Sequence, residues 1–339
     1  MNKLGQDPLR IAFIGCGRIV ERQLAEGWTH LPDVELAGWW SPRSETAAAR
    51  QAQAGRGEVF DDWRMMLDRV RPDACLVAIP PFAHGPFEDE LIARRIPFLV
   101  EKPVGLELAE ARRLEAKIAD SGLVVGVGYN ARFTAGVMRA KEALADRTAI
   151  LVRAAVINNL ARTADFAEHW WIKRARSGGQ LVEQSTHHLD LIRYLLRTEV
   201  RAVQAMSVRV ASGRLPAADV EDAVATQLAL ANGAVASLTD ATVIAPARGH
   251  TFEVFTPDLK IELSGWDRAA RLISADGAVE TVPAETRNFT RQLLGFVASV
   301  RCGRLLPPLA SYGDGVKALA IADAANAALT SGGAQQLAS

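Results

Sequence analysis

Along the first third of the chain, short apolar runs alternate with stretches of helical spacing. The runs are Ile11 to Ile14, Leu36 to Trp40, Ala74 to Ile79, Phe98 to Val100 and Val124 to Val127. Runs apolar on both faces suit parallel strands covered by helices. After the first run Val20, Leu24, Trp28 and Leu31 recur at near-helical spacing, and a second helix is predicted from Glu107 to Asp120, with acids in its first turn and Gly122 just past its end. This is the pattern of a doubly wound parallel sheet of the Rossmann type, assigned to residues 1–125.

From about residue 150 the runs face one another across short turns. Leu228 to Leu230 and Ala234 to Leu238 flank Asn232-Gly233, and Leu272 to Ser274 and Val279 to Val282 flank Asp276-Gly277. Asn-Gly and Asp-Gly are favoured hairpin turns because their residues tolerate positive φ. Residues 126–339 are therefore expected to form an α+β domain with a large, open, mostly antiparallel sheet. One helix is expected near Val182 to Leu196 and another near Val316 to Leu329.

Composition narrows the class of partner. The chain has 339 residues, 49% of them hydrophobic, enough for two cores. The 39 Lys and Arg balance the 39 Asp and Glu, leaving no net charge with which to attract nucleic acid or an anionic membrane. A small neutral or mixed ligand fits better. Cys16, Cys75 and Cys302 are too few and too scattered for a disulfide framework or a paired zinc motif. With no signal-like start and no run near the ~20 apolar residues of a membrane span, a cytoplasmic protein is expected.

The first run leads into a candidate phosphate-binding turn. In IAFIGCGRIV, Gly15 permits a tight turn and Gly17 lets backbone approach a pyrophosphate at a helix N-terminus, with Arg18 and Ile19 opening that helix. The third glycine position holds Val20, so the fingerprint is incomplete; nucleotide-like methyl donors are the rival ligands. After the second run the chain reads WWSPRSE, and Ser41 and Arg43 stand where a carboxylate would grip the ribose of NAD. A hydroxyl and a cation there suit a 2′-phosphate, favouring NADP(H) over NAD(H); the alternative is a solvated loop arginine. Trp39 and Trp40 suit core or cleft packing better than an adenine clamp. The run from Ala74 ends in IPPFAH, placing Pro80, Pro81 and His84 on the ligand side of the sheet, although His84 could equally cap a helix.

FLVEKPVG puts Glu101 and Lys102 at a strand end on that same side, with Pro103 fixing the chain beyond them. An amine there can donate to a reacting oxygen. The competing reading is a Glu101 to Lys102 surface pair, which contributes only ~0 to 1 kcal/mol. In GGQLVEQSTHHLDLIRYLL, Glu183, His187 and Asp190 fall at i, i+4 and i+7 and would share one face of a helix. An imidazole oriented by a carboxylate suits proton exchange near neutrality. Zinc on His187, His188, Glu183 and His169 competes poorly, because residues 187 and 188 point about 100° apart on a helix. Trp170, Trp171, Lys173 and Arg174 precede the Gly-Gly turn and could line a substrate mouth, since indole faces suit sugar rings; core packing of the tryptophans is the alternative. Arg132, in GYNARF, is read as a ligand contact or as glue at the domain junction.

With GCGRIV, PPFAH, EKP and GGQLVEQSTHHLD in this order, the chain resembles the glucose-fructose oxidoreductase / inositol dehydrogenase (Gfo/Idh/MocA) family, nearly end to end. The resemblance implies hydride transfer between nicotinamide C4 and a carbinol or ketone carbon of a sugar, cyclitol or related polyol. It implies that Lys102 is the EKP lysine, that His187 is the general acid/base, and that Glu183 stands where most members carry aspartate. Catalytic roles therefore fall to Lys102, His187 and Glu183. Cofactor contacts fall to Gly15, Gly17, Arg18, Ile19, Ser41, Arg43, Pro80, Pro81, His84, Glu101 and Lys102, and substrate contacts to Lys102, Arg132, Trp171, Lys173, Glu183 and His187. No metal is expected. A nucleotide sensor whose chemistry has lapsed, or a reductase of a non-sugar diol or imine, are the rival functions. A sheet with one uncovered face leads to the expectation of a homodimer or homotetramer.

Overall fold

A computed structural model of the chain describes residues 7–159, 169–210, 218–246 and 249–337. The chain divides into two compact units. One runs to Asn130 and takes in Thr286–Val316; the other holds Ala131–Glu285 and the chain from Lys317.

In the first unit, β1 (Leu9–Ile14), α1 (Arg18–Glu26), β2 (Val34–Trp40), α2 (Ser44–Ala54), β3 (Glu58–Phe60), α3 (Trp63–Val70), β4 (Ala74–Val77), α4 (Pro86–Ala93), β5 (Phe98–Val100), α5 (Leu108–Ser121) and β6 (Val125–Val127) alternate as the pattern predicts. Every residue of β4, β5 and β6 is buried, which is why these strands read as continuous apolar runs. Two features escape the pattern: the three-residue β3, and the end of α1 at Glu26, after which Trp28 reaches the core from a separate short 3-10 turn.

The second unit opens with α6 (Ala135–Ala143), β7 (Leu151–Ile157), α7 (Arg174–Ser177), α8 (Gly179–Glu183) and α9 (Thr186–Leu196). There follow β8 (Val200–Val208), β9 (Ala223–Leu230), β10 (Val235–Ala241), β11 (Gly249–Phe255), β12 (Leu259–Ser264), β13 (Ala269–Ser274) and β14 (Val279–Val282). The chain closes with α10 (Asn288–Cys302) and β15 (Ala310–Ser311), which belong to the first unit, then α11 (Tyr312–Ser331) and β16 (Gln335–Gln336).

Among the described residues the first sheet has the order β15-β6-β5-β4-β1-β2-β3, parallel except for β15. Strand order reverses between β1 and β4, and in such sheets ligands bind outside the carboxyl ends at that point. The second sheet has the order β14-β13-β12-β11-β7-β10-β9-β8-β16, antiparallel apart from the β7–β10 pair. Both predicted hairpins are present, as β9–β10 and β13–β14. Burial alternates along β9, so one face of this sheet is covered and the other exposed. No helix among the described residues is long and apolar enough to cross a membrane.

Candidate active site

The turn after β1 is built against the end of β4. Gly15 has φ +88°, and a Cβ there would lie 2.2 Å from the Ala78 carbonyl oxygen, so backbone conformation and space both demand glycine. Its N–H donates to the Trp40 carbonyl at 2.9 Å, and the Ala78 N–H donates to Ile14 at 2.8 Å, knitting the three strand ends together. Gly17 precedes the first turn of α1, and a Cβ on it would meet nothing within 4 Å. That open space beside a nine-residue helix N-terminus is the cradle a pyrophosphate needs. Arg18 is exposed and Ile19 half-buried on the same rim, whereas Val20 is wholly buried. Gly17→Ala should therefore leave the melting transition nearly unchanged and weaken dinucleotide binding at least about tenfold by blocking backbone approach. Thermal melts alongside calorimetric titration check this, and equal affinity in both proteins would show that no phosphate comes near Gly17.

Beyond β2, Ser41 is half-buried and Arg43 exposed. Arg43 occupies the cap position of α2, its carbonyl accepting the Thr46 N–H at 3.0 Å. Trp39 is core, stacked on Phe13 at 4.1 Å, while Trp40 leans on Phe87. Past β4, Pro81 is buried and Pro80 half-buried, and His84 has a specific partner: its Nδ1 lies 2.5 Å from Glu88, whose other oxygen accepts the Gly85 N–H at 2.7 Å. Burial pushes the Glu88 carboxyl up, but the His84 charge and hydrogen bond outweigh it, holding the group below the usual carboxylate range. His84 thus supports the capping carboxylate of α4.

Past β5, the Glu101 N–H donates to Val77 at 2.8 Å. Its carboxylate turns inward, 6% exposed, and accepts from Gln23 Nε2 of α1 at 2.6 Å, so Glu101 is no surface residue. Gln23 also accepts from Trp28 Nε1 at 3.4 Å, and a Cβ on Gly128 would strike the Glu101 carboxylate at 2.7 Å. Lys102 follows, half-buried, joined to Pro103 by a cis peptide bond. Gly15, Pro80 and Lys102 thus leave β1, β4 and β5, three neighbouring strands, at one edge of the first sheet.

In the second unit the expected single helix from Val182 to Leu196 is broken. α8 ends at Glu183, Gln184 and Ser185 form a bend, and α9 starts at Thr186. The Ser185 N–H folds back to the Gln180 carbonyl at 3.0 Å, and its hydroxyl donates to Asp240 of β10. Gln180 is pinned as well, donating to the Glu221 carbonyl at 3.0 Å and to Thr242 at 2.6 Å. Glu183 and His187 therefore belong to different helices, and only His187 and Asp190 share one. All three are buried. Asp190 takes two bonds from Arg132, at 2.5 and 2.9 Å, and the guanidinium lies 4.6 Å from the Tyr194 ring. Arg132, 5% exposed, is accordingly the anchor of Asp190. The rings of His187 and Trp266 stand at 77° to each other with centroids 5.9 Å apart, whereas His188 turns toward Arg268.

Ahead of the Gly-Gly turn, Trp170–Ile172 form a 3-10 turn in which the Trp171 N–H donates to His169 Nδ1 at 3.3 Å. A cavity of about 390 Å³ borders it, lined in part by Trp170, Lys173, Arg176 and Asp219; Trp171 lies outside that lining. Arg174 pairs with Glu221 beside a second cavity of about 570 Å³. Sequence reasoning passed over Gln23, Trp266, Arg268 and the Ser185–Asp240 pair. Of these only Asp240 left a signal, standing in phase with the buried Ala236 and Leu238 of its strand.

Residues 9–129 match the GFO/IDH/MocA oxidoreductase family with its NAD-binding Rossmann fold, and residues 137–262 match the GFO/IDH/MocA C-terminal domain. The chain is 27% identical to Escherichia coli D-glucoside 3-dehydrogenase over 59% of its length. It is 26% identical to Thermotoga maritima myo-inositol 2-dehydrogenase over 95% of its length and 96% of that protein. It spans little more than half, 53% to 58%, of other curated relatives, the E. coli enzyme among them. A levoglucosan dehydrogenase solved with NADH and L-sorbose shares the fold, with a TM-score of 0.87 at 20% identity, covering 98% of this chain and 99% of that one.

Proposed function

The chain belongs to the GFO/IDH/MocA oxidoreductase family, and from that premise we propose that it transfers a hydride between nicotinamide C4 and a carbinol or ketone carbon of a sugar, cyclitol or related polyol. The observation that carries the reading is the switch point of the first sheet, where a glycine cradle and the EKP loop share one edge. Names of relatives that act on glucosides and inositols support the substrate class.

Bound nicotinamide would supply the hydride acceptor. Gly15 and Gly17 would hold its pyrophosphate against α1, with Arg18 and Ile19 on the rim and Pro80, Pro81, His84 and Glu101 shaping the edge of the sheet. Lys102 is assigned to the substrate oxygen, to which its ammonium donates as negative charge grows. His187 is assigned to the hydroxyl proton, taking it as the carbinol is oxidised and returning it in the reverse direction. Glu183 orients a substrate hydroxyl from the end of α8, and Trp171 and Lys173 lie in the segment assigned to the substrate mouth. Absorbance of reduced nicotinamide, followed with a panel of inositols and sugars, tests the proposal; no signal with any polyol would overturn it.

Within this reading NADP(H) is favoured, because Ser41 and the exposed Arg43 follow β2 where a ribose-gripping carboxylate would stand. NADP should bind about tenfold tighter than NAD, and Arg43→Ala should abolish the difference, as read by calorimetric titration of both nucleotides. Tighter NAD binding in the unaltered protein would sink this preference. The exposed face of the second sheet supports association of copies of the chain.

A further inference from the structure

Arg268, on the turn between β12 and β13, is 2% exposed, and among the described residues no carboxylate bonds to it. Its Nη2 lies 3.3 Å from His188 Nε2 and 3.4 Å from His250 Nδ1, while Nε, Nη1 and His188 Nδ1 have no hydrogen-bond partner. Burial pushes the guanidinium down only to about 10, so it keeps its charge at neutral pH, and His188, pushed far down by burial and then by that charge, stays neutral. The His250 ring stands 5.1 Å from Trp266, and Trp266 stands 5.9 Å from His187. A fixed positive charge thus sits behind His187, with the rings of His250 and Trp266 between them.

We propose that Arg268 is a positioning residue for proton transfer, its charge held behind His187 by His188 and His250 so that the His187 imidazole is kept in its neutral, proton-accepting form. This rests on the assignment of His187 as proton acceptor. The charged and titratable groups on the elements that carry these rings are Glu183 on α8, His188 and the Arg132-paired Asp190 on α9, His250 on β11, and Asp267 and Arg268 on the turn between β12 and β13. Asp190 is offset by Arg132, and the Glu183 and Asp267 carboxylates act in the opposite sense to Arg268. Structural need is a poor explanation for Arg268, since a buried cation with unmet N–H groups costs stability and an apolar side chain of similar size often does better.

The test is an NMR titration of the His187 ring, assigned against His187→Gln, in the full chain without ligand. Charges with two aromatic rings between them, on the order of 10 to 15 Å apart, at an effective dielectric near ~20 shift a midpoint by about one pH unit. The midpoint should rise by that amount in Arg268→Met and in Arg268→Gln, which keeps donors for both imidazoles, and stay in place in Arg268→Lys. The acid limb of kcat/KM, measured with NADP or NAD and myo-inositol as probe, should move with it. An unchanged midpoint in the folded Gln variant would overturn the proposal whatever the Met variant does. Should the unaltered protein turn over no polyol, the proposed function fails while the titration still decides the role of Arg268.

Discussion

Lys102→Met should lower nicotinamide-dependent turnover by about 10³-fold while changing dinucleotide affinity little, the order expected when a general acid or a charge-stabilising donor is removed. Methionine keeps the length and apolar stem of the lysine and deletes only the donor. The backbone beside it is fixed independently, by the Glu101 N–H on Val77 and the Glu101 carboxylate on Gln23, so the loop should keep its course. The loss belongs in kcat rather than KM if the ammonium acts chiefly on charge that grows during oxidation. Steady-state kinetics with the best polyol of the panel, beside calorimetric titration of the nucleotide, check both halves. A variant within tenfold of the parent rate would remove Lys102 from the chemistry, and one that lost nucleotide affinity in step with rate would make it a cofactor anchor.

What could be read from the chain depended on how far apart in sequence the interacting partners lie. Strands β1, β4 and β5 declare themselves because each is apolar along nearly its whole length, and the Asn232-Gly233 and Asp276-Gly277 turns announce hairpins whose strands are adjacent in sequence. The three-residue β3, with Glu58 exposed, is too short for any period to show. The place of Lys102 just past a strand end was legible because the apolar run Phe98 to Val100 stops immediately before Glu101. Its support was not: Gln23 lies 78 residues from Glu101, and nothing local to either residue signals the bond. The α8–α9 break was hidden for the same reason. The spacing of Glu183, His187 and Asp190 fits a continuous helix, whereas the bend at Ser185 is fixed by Asp240, 55 residues away.

That carboxyl carries the largest expected effect on stability. Asp240 is fully buried, accepts a bond from Ser185 and leaves its Oδ1 without a partner, and burial raises it from 3.8 to about 7. The sign follows from proton binding: between pH 4 and 7 the folded chain holds a proton that the unfolded chain has released, so stability falls as pH rises through that window and levels off above about 7. A gap of about three units corresponds to roughly 4 kcal/mol at pH 8. Asp240→Asn is neutral throughout and avoids that loss. Its carboxamide oxygen can still accept from Ser185, but its NH₂ faces the unpartnered side at a cost of about 1–3 kcal/mol. The variant should therefore exceed its parent by about 2 kcal/mol at pH 8 and be no more stable than its parent near pH 4, as read from denaturant melts at both pH values. A variant less stable than its parent at pH 8 would mean that Asp240 is ionised and paired in the folded state. Because Ser185 joins the helix bearing Glu183 to the helix bearing His187, ionisation of Asp240 should also disturb both side chains, so the Asn variant should keep its activity further into alkaline solution than the parent does.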